Sequence, residues 1–289
     1  MADSSPVLGA AGSSPILHQK EAALHQRLNE AGRVLVAFSG GVDSSYLALA
    51  AHQALGDRAL AVTAASASYP ESHKRVAQEV VERFGIAHRF VDTHEMEREG
   101  YRANGPDRCY HCKTELFEVL GRMREALGFD AVAYGVNTDD IGDFRPGHRA
   151  AAEHGVLSPF LDVSLSKQEI RALSREAGLP TADLPASACL ASRLPYGTKV
   201  TAERLKQVED AEERLRALGF RQVRVRHHVA MARVEIAPDE LANALDPEAA
   251  RRIVAAVKPL GFRYVALDLE GYRTGSLNEV LTPQQRSRS

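Results

Sequence analysis

The feature that most constrains the fold is the run S-G-G-V-D-S-S at residues 39–45. Residues 34–38 before it are apolar and predict a strand, and residues 46–55 after it are apolar at the spacing of a helix. A strand, a glycine turn and a helix N-terminus form an anion-binding arrangement, because backbone N–H groups converge there and the helix start carries partial positive charge. We therefore predict that a phosphate group binds at this turn.

Asp43 lies inside this run, which lacks the lysine of the G-x-x-x-x-G-K-[ST] phosphate loop. A carboxylate in that place is suited to holding Mg²⁺ against a polyphosphate. We therefore predict Asp43 as a magnesium ligand. The alternative is an ordinary strand-to-helix turn with a serine N-cap.

The composition is that of a globular protein without a strong overall field. The chain has 289 residues and a net charge of −2, which disfavours a dedicated nucleic-acid binder. No apolar run approaches the length of a membrane span, and no secretory leader is recognisable, so we expect a cytoplasmic protein. The chain has three cysteines, an odd number that makes a disulfide framework improbable and favours metal or catalytic roles.

Strand-like and helix-like segments alternate through the first two thirds of the chain, which predicts an α/β fold with a parallel sheet covered on both faces. The predicted strands are residues 34–38, 59–65, 88–91 and 131–136, with a short strand or edge at 155–160. The predicted helices are residues 16–31, 44–55, 70–84, 112–127 and 167–177.

A proline-containing loop at residues 179–198 separates this region from a second pattern, which predicts a smaller C-terminal α+β domain. Its predicted elements are a helix at 202–218, strands at 223–227 and 232–236, a helix at 238–257 and a strand at 264–269. The predicted domains are therefore 16–198 and 199–282, between tails at 1–15 and 283–289 that we expect to be disordered.

The cysteines form a second candidate site. Cys109 and Cys112 belong to C-Y-H-C, and Cys189 lies in the loop S-A-C-L-A-S-R. Three thiolates fit a structural zinc ion poorly unless His111 or a neighbour joins them, but they fit a [4Fe–4S] cluster with one iron that lacks a protein ligand. Two alternatives remain, namely that all three are buried apolar residues or that Cys189 alone is a nucleophile or sulfur donor.

Several charged residues are further candidates. Arg193 lies beside Cys189 and could hold a phosphate or lower the thiol pKa. Arg224 and Arg226 point the same way on a predicted strand and could clamp a phosphate or a carboxylate, or simply form a solvated face. The remaining candidates are turn-forming or magnesium-binding acids at Asp139 and Asp140, a weaker acid at Glu235, and surface histidines at His227 and His228.

These motifs together resemble the LarE family of sulfur transferases, within the PP-loop (N-type) ATP pyrophosphatases. The matching segments are S-G-G-V-D-S-S at 39–45, R-C-Y-H-C-K at 108–113, G-V-N-T-D-D at 135–140, C-L-A-S-R-x-P-Y-G at 189–197, R-V-R at 224–226 and G-Y-R-T-G-S-L-N at 271–278. The resemblance covers nearly the whole chain. It implies a parallel-sheet PP-loop ATP pyrophosphatase domain, like that of the adenine nucleotide alpha hydrolases.

The resemblance implies an ATP- and Mg²⁺-dependent enzyme that adenylates the carboxylates of pyridinium-3,5-biscarboxylic acid mononucleotide and converts them to thiocarboxylates, for nickel-pincer nucleotide cofactor synthesis. It assigns ATP to Ser39, Gly40, Gly41, Asp43, Ser44 and Ser45, and substrate anions to Arg224 and Arg226. Some members sacrifice the sulfur of the cysteine matching Cys189. Members with three cysteines are implied to carry a [4Fe–4S] cluster that passes on sulfide. The resemblance also implies a homo-oligomer such as a hexamer.

Three other functions remain open on the sequence. A tRNA thiolase can combine the same loop with C-x-x-C and a third cysteine, although the near-neutral charge disfavours it. An amide-forming synthetase would use ammonia and would not need Cys189. A non-enzymatic nucleotide or metal sensor would bind ATP without hydrolysing it.

Overall fold

A computed structural model describes residues 15–141, 146–185, 188–273 and 275–282. The predicted disordered tails fall outside these ranges, except for Pro15, which begins the first helix. The strands are β1 (Val34–Ala37), β2 (Ala59–Ala65), β3 (His88–Asp92), β4 (Ala131–Tyr134), β5 (Val223–His228), β6 (Met231–Ile236) and β7 (Tyr264–Leu267). The helices are α1 (Pro15–Glu30), α2 (Val42–Leu55), α3 (Glu71–Phe84), α4 (Glu99–Ala103), α5 (Arg108–Leu127), α6 (Pro146–Glu153), α7 (Pro159–Asp162), α8 (Lys167–Glu176), α9 (Ala202–Ala217), α10 (Leu241–Ala244) and α11 (Pro247–Val257).

The first sheet has the strand order β3-β2-β1-β4, and all three of its strand pairs are parallel. Every residue of β1 is buried, because helices cover both faces of the sheet. Val34 and Val36 join the apolar cluster that contains α1 and α2, whereas Leu35 and Ala37 join the cluster that contains α5 and α6. The predicted α/β fold with a parallel sheet is thus confirmed.

A second, smaller sheet has the order β5-β6-β7, with β5 antiparallel and β7 parallel to β6. Its apolar side chains pack with those of α9 and α11 in a cluster of their own. This second sheet agrees with the predicted α+β pattern. The predicted domain boundary between residues 198 and 199 stays a prediction.

The structure differs from the predicted elements in several places, and helices α4 and α6 were not predicted at all. The segment 155–160 contributes one bridge from Leu157 to Ala133 and then enters α7, so the predicted strand is wrong except at its edge. The predicted helix 238–257 is two helices, because Asp246 caps a new helix with Pro247 in its first turn. Helix α5 begins at Arg108, four residues earlier than predicted, and so includes the whole C-Y-H-C motif.

Candidate active site

The glycine turn after β1 is held by its own serine. Gly40 has φ +69°, a conformation that favours glycine, and a Cβ there would lie 3.1 Å from the backbone nitrogen of Ala77. Ser44 Oγ accepts the N–H of Ser39 at 3.1 Å and donates to the carbonyl of Gly41 at 3.1 Å. Gly41 is the N-cap of α2 and places no side chain over the first-turn amides. These amides are the groups that a phosphate would use.

Asp43, the predicted magnesium ligand, is bonded to two side chains from distant segments. Lys167 Nζ donates to its Oδ2, and Asn137 Nδ2 donates to its Oδ1 at 3.3 Å. Lys167 is the first residue of α8, and its backbone N–H donates to Asp139 Oδ2 at 2.9 Å. The loop has no lysine of its own in sequence, and the fold supplies one. The sequence motif gave no sign of it, because Lys167 lies 124 positions after Asp43.

A cavity of about 140 Å³ opens where β1, β2 and β3 end, which is where ligands bind in open α/β sheets. We call it the strand-end cavity. Apart from Cys112, Lys113 and Cys189, its polar lining combines hydroxyl groups with one carboxylate: Ser39, Thr63, Ser66, Ser68, Tyr69, Thr93 and Glu95. The cavity therefore adjoins the glycine turn at the place predicted for a nucleotide.

A larger cavity of about 560 Å³ lies beside it, and we call it the cationic cavity. Its volume is within the range of small-molecule sites. Asp140 is the one carboxylate among its described lining residues, against five cationic side chains. These five are Arg108, Lys113, Arg224, Arg226 and Arg273. The cavity is thus suited to a ligand that carries several negative charges.

The three cysteines lie along the wall between the two cavities. Cys109 lines the cationic cavity, Cys112 lines the strand-end cavity, and Cys189 lines both. All three are free thiols, with Cys109 exposed and the other two half-buried. Burial raises the pKa of the Cys112 thiol well above its ordinary value, and the charges of Glu95 and Cys189 raise it further. The thiols therefore share one neighbourhood at the junction of the cavities.

The three cysteines are the candidate ligands of a metal centre. Within the described ranges, no three His, Cys, Asp or Glu side chains converge closely enough to hold one metal ion. Cys112 and Cys189 nevertheless pack against the same apolar cluster, and Cys109 also raises the pKa of Cys112. Ligands of a [4Fe–4S] cluster bind different irons and stand farther apart than ligands of a single ion. The described residues therefore show no site for a single zinc ion, and the cluster predicted from sequence stays a prediction.

Arg193 is predicted from sequence to act on a phosphate or on the thiol, and that role stays a prediction, but the structure shows which groups its guanidinium binds. Its guanidinium donates to both carboxylate oxygens of Glu212, at 2.8 and 3.1 Å, and each residue is 1% exposed. It also donates to the carbonyls of Ala188 and Cys189, at 2.7 and 3.0 Å. Glu212 further accepts the N–H of Val225 in β5 at 3.1 Å. Arg193 is thus a positioning residue that fastens the Cys189 segment to the second sheet.

The Cys189 segment is also bonded to the first sheet. The N–H of Leu190 donates to the carbonyl of Ser68 at 3.0 Å. Ser68 Oγ in turn donates to Oε1 of Glu95 at 2.9 Å, and Glu95 is 2% exposed. Cys189 is therefore held between the loop after β2 and the second sheet.

Arg224 and Arg226 lie on the same face of β5, as their spacing predicts, and both line the cationic cavity. Arg226 donates to both oxygens of Glu235, at 2.8 and 2.7 Å, so Glu235 is a partner for arginine and not a separate acid. Arg224 lies over the ring of Tyr272 at 5.3 Å. Burial and then the charge of Arg193 lower the pKa of Arg224.

Comparison with known proteins agrees with this geometry. Residues 17–116, which include the glycine turn, match the asparagine synthase family. An uncharacterized protein of Synechocystis sp. is 44% identical over 92% of this chain and all of its own length. The pyridinium-3,5-bisthiocarboxylic acid mononucleotide synthase of Lactiplantibacillus plantarum is 36% identical over 93% of this chain and 97% of its own length.

The chain belongs to the LarE family. It is thereby an ATP-dependent enzyme of the PP-loop class. A tRNA-specific 2-thiouridylase of Azorhizobium caulinodans is also similar, at 33% identity, but over 54% of this chain and 49% of its own length. The likeness to that thiouridylase thus extends over about half of each chain, whereas the LarE likeness runs through both sheets.

Other predicted residues of this LarE-family chain have structural partners. Asp140 accepts the N–H of Asn137 at 3.1 Å in a capping box, and Asp139 accepts the N–H of Lys167, so both acids form the turn after β4. His227 is 2% exposed and bonded to Gln207 at 2.9 Å, so its prediction as a surface residue is wrong. His228 is half-buried, and burial lowers its pKa. In the part of the chain that the structure describes, no helix is long and apolar enough to cross a membrane.

Proposed function

We propose that this enzyme uses ATP to activate the carboxylates of pyridinium-3,5-biscarboxylic acid mononucleotide and converts them to thiocarboxylates. The observation that carries the proposal is the position of Cys189, which lines both the strand-end cavity and the cationic cavity. An ATP α-phosphate and a substrate carboxylate bound in these cavities would meet beside a thiol. The name of the L. plantarum relative describes a product of this chemistry.

The first step forms an acyl adenylate. A carboxylate oxygen attacks the α-phosphorus of ATP, and pyrophosphate leaves with the electrons of the broken P–O bond. The glycine turn and the α2 amides, that of Ser44 included, bind the departing phosphates, and the hydroxyls of Ser39 and Ser45 are the further donors that we propose there. Asp43 would hold Mg²⁺, which neutralises polyphosphate charge when bound, and Lys167 beside it is placed for a phosphate oxygen.

The cationic cavity supplies recognition of the substrate. A mononucleotide with two carboxylates carries anionic groups at several positions, and the cavity presents Arg108, Arg224 and Arg226 to them. Tyr272 lies under one of these guanidinium groups and offers an aromatic face. We propose that Arg224 and Arg226 bind the phosphate or a carboxylate of the substrate.

The second step exchanges oxygen for sulfur at the activated carboxyl group. Cys109, Cys112 and Cys189 would hold a [4Fe–4S] cluster, which supplies bound sulfide when present. The sulfur nucleophile forms a C–S bond at the acyl carbon, and AMP leaves with the electrons of the C–O bond. Cys189 lies at the junction of the cavities, where we propose that this exchange takes place. The alternative source of the sulfur atom is the thiol of Cys189 itself, which would be sacrificed.

The test is turnover under anaerobic conditions with ATP, Mg²⁺, sulfide and the pyridinium biscarboxylate. We expect pyrophosphate release that depends on the pyridinium substrate, and about four irons per chain after reconstitution. No pyrophosphate release with this substrate would overturn the proposed function. Mass spectrometry of the protein then identifies the sulfur source, because loss of H₂S from Cys189 means sacrifice and an unchanged mass after several turnovers means catalysis.

We also propose a cytoplasmic location, because all three cysteines are free and thiols stay reduced there. The homo-oligomer implied by the family resemblance stays a prediction. Light scattering during size-exclusion chromatography measures it directly.

A further inference from the structure

Lys113 has a position that only Cys189 shares among the described residues, because it lines both the strand-end cavity and the cationic cavity. It follows Cys112 directly and lies one helical turn after Cys109 on α5. Residues four positions apart on a helix occupy the same face, which explains why Lys113 and Cys109 both reach the cationic cavity. Lys113 thus lies at the junction where the two substrates would meet.

The charge of Lys113 is not neutralised by a carboxylate within the described ranges. Its Nζ lies 5.8 Å from the ring centroid of Phe117, and its charge opposes the rise in the pKa of Cys112. By contrast, Arg226 is paired with Glu235 by two short hydrogen bonds. A cation without an acidic partner at a cavity junction is available to an anionic ligand.

Gly147 in α6 makes room for this side chain. A Cβ at that position would lie 2.9 Å from Lys113 Cγ, so the lysine stem passes where a larger residue would obstruct it. The path of Lys113 to the junction therefore depends on a glycine in a neighbouring helix.

We propose that Lys113 is a catalytic residue of the activation step, whose ammonium contacts the α-phosphate of ATP as the substrate carboxylate attacks it. This proposal rests on the proposed function. As the new P–O bond forms and the bond to pyrophosphate breaks, negative charge gathers on the α-phosphate oxygens, and a fixed cation there stabilises the transition state more than the ground state. Lys113 acts through its charge and transfers no proton.

The experiment isolates activation from sulfur transfer by measuring exchange of labelled pyrophosphate into ATP, with the pyridinium biscarboxylate present. We expect Lys113→Met to lower the exchange rate about 100-fold while the Kd of α,β-methylene-ATP changes by less than about threefold. Lys113→Arg, which keeps the charge, should retain at least about a tenth of the wild-type rate. Lys206→Met is the matched control on an exposed helix face and should exchange like wild type.

Gly147→Ala provides a second variant that keeps the charge but crowds the lysine stem, and we expect a loss of about tenfold. If circular dichroism shows that Lys113→Met is unfolded, the exchange rate of Gly147→Ala tests the proposal instead. The proposal is overturned if Lys113→Met exchanges within about threefold of wild type, or if its loss is matched by an equal loss of ATP affinity. Absence of exchange in the wild-type protein overturns the proposed function itself, a different result from equal exchange in both proteins.

Discussion

The strand-end cavity and the cationic cavity are lined by different kinds of groups, although Lys113 and Cys189 line both. The first is formed by backbone and hydroxyl groups where adjacent parallel strands end. The second is formed by long cationic side chains that come from α5, from the second sheet and from the segment after β7. The first cavity is thus a direct product of the sheet, whereas the second requires distant parts of the chain to pack correctly.

This difference separates two kinds of chemistry. Phosphate binding at a glycine turn needs only the local geometry of one strand and one helix. Recognition of a polyanionic substrate, together with placement of sulfur beside it, needs arginines held at fixed positions by buried partners such as Glu212 and Glu235. Variants of the two cavities should therefore fail in different ways, and the following experiments use that contrast.

Loss of the Cys189 thiol should give the largest effect. We expect Cys189→Ala to lower thiocarboxylate formation more than about a thousandfold, while pyrophosphate exchange stays within about threefold of wild type, because activation does not require the thiol. Product mass spectrometry and the exchange assay measure the two steps on the same sample. A parallel fall in exchange would show that the two cavities do not act separately.

Replacement of Arg193 should affect stability strongly. Arg193→Met leaves the buried Glu212 carboxylate without its main partner, so we expect the free energy of unfolding to fall by about 3 to 5 kcal/mol. Urea denaturation measures it. The double variant with Glu212→Leu should lose less than the sum of the two single losses. A loss below about 1 kcal/mol for Arg193→Met would contradict a positioning role.

The positive charge around the Cys189 segment should appear in the pH dependence of stability. Burial and then the charges of Arg193 and Arg224 lower the pKa of His73 to about 4. Since an unfolded histidine titrates near 6.5, stability is complete above that pH and falls as the pH drops from 6.5 to 4, by up to about 3 kcal/mol. His73→Gln should flatten this part of the curve in urea denaturation. An unchanged slope would show that folding does not lower the pKa of His73.

Substitution of Gly40 in the glycine turn should have the smallest effect on stability, and Gly85→Ala is its matched control. Gly40 and Gly85 have similar φ values, +69° and +65°, but a Cβ at Gly40 meets Ala77 at 3.1 Å and one at Gly85 meets nothing within 4 Å. Gly85→Ala should lose about 1 kcal/mol of unfolding free energy and Gly40→Ala about 2, since the second adds crowding to strain. ATP affinity, measured by calorimetry, should fall only for Gly40→Ala. Equal effects would mean that the turn tolerates a side chain.

The strand-end region could be predicted from sequence because its signals are local. One run of seven residues contains the strand exit, the glycine turn and the helix start, and each has a strong local preference. The parallel sheet followed from alternating segments in the same way. The role of Lys167 could not be predicted in this way. Its contact with Asp43 depends on the packing of α8 against α2, and no sequence pattern near either residue indicates it.

Two residues of the second region, Arg193 and His227, have surroundings that were not predicted from the sequence. Arg193 has the appearance of a ligand-binding residue because it lies beside Cys189, but its charge is neutralised by Glu212 from a helix that sequence proximity does not indicate. His227 shares the strand face of Val223 and Val225, both buried, so the period of two already indicated burial. That signal was present in the sequence, and the polarity of histidine concealed it.

The bonds of Glu212 have a mechanical consequence. The Glu212 carboxylate on α9 accepts hydrogen bonds from β5 and from Arg193. Arg193 also donates to the carbonyl of Cys189. The Cys189 segment is therefore coupled to the small sheet through Arg193, and to the first sheet through the N–H of Leu190. A shift of that sheet by a fraction of an ångström would widen or narrow the gap that a sulfur atom must cross.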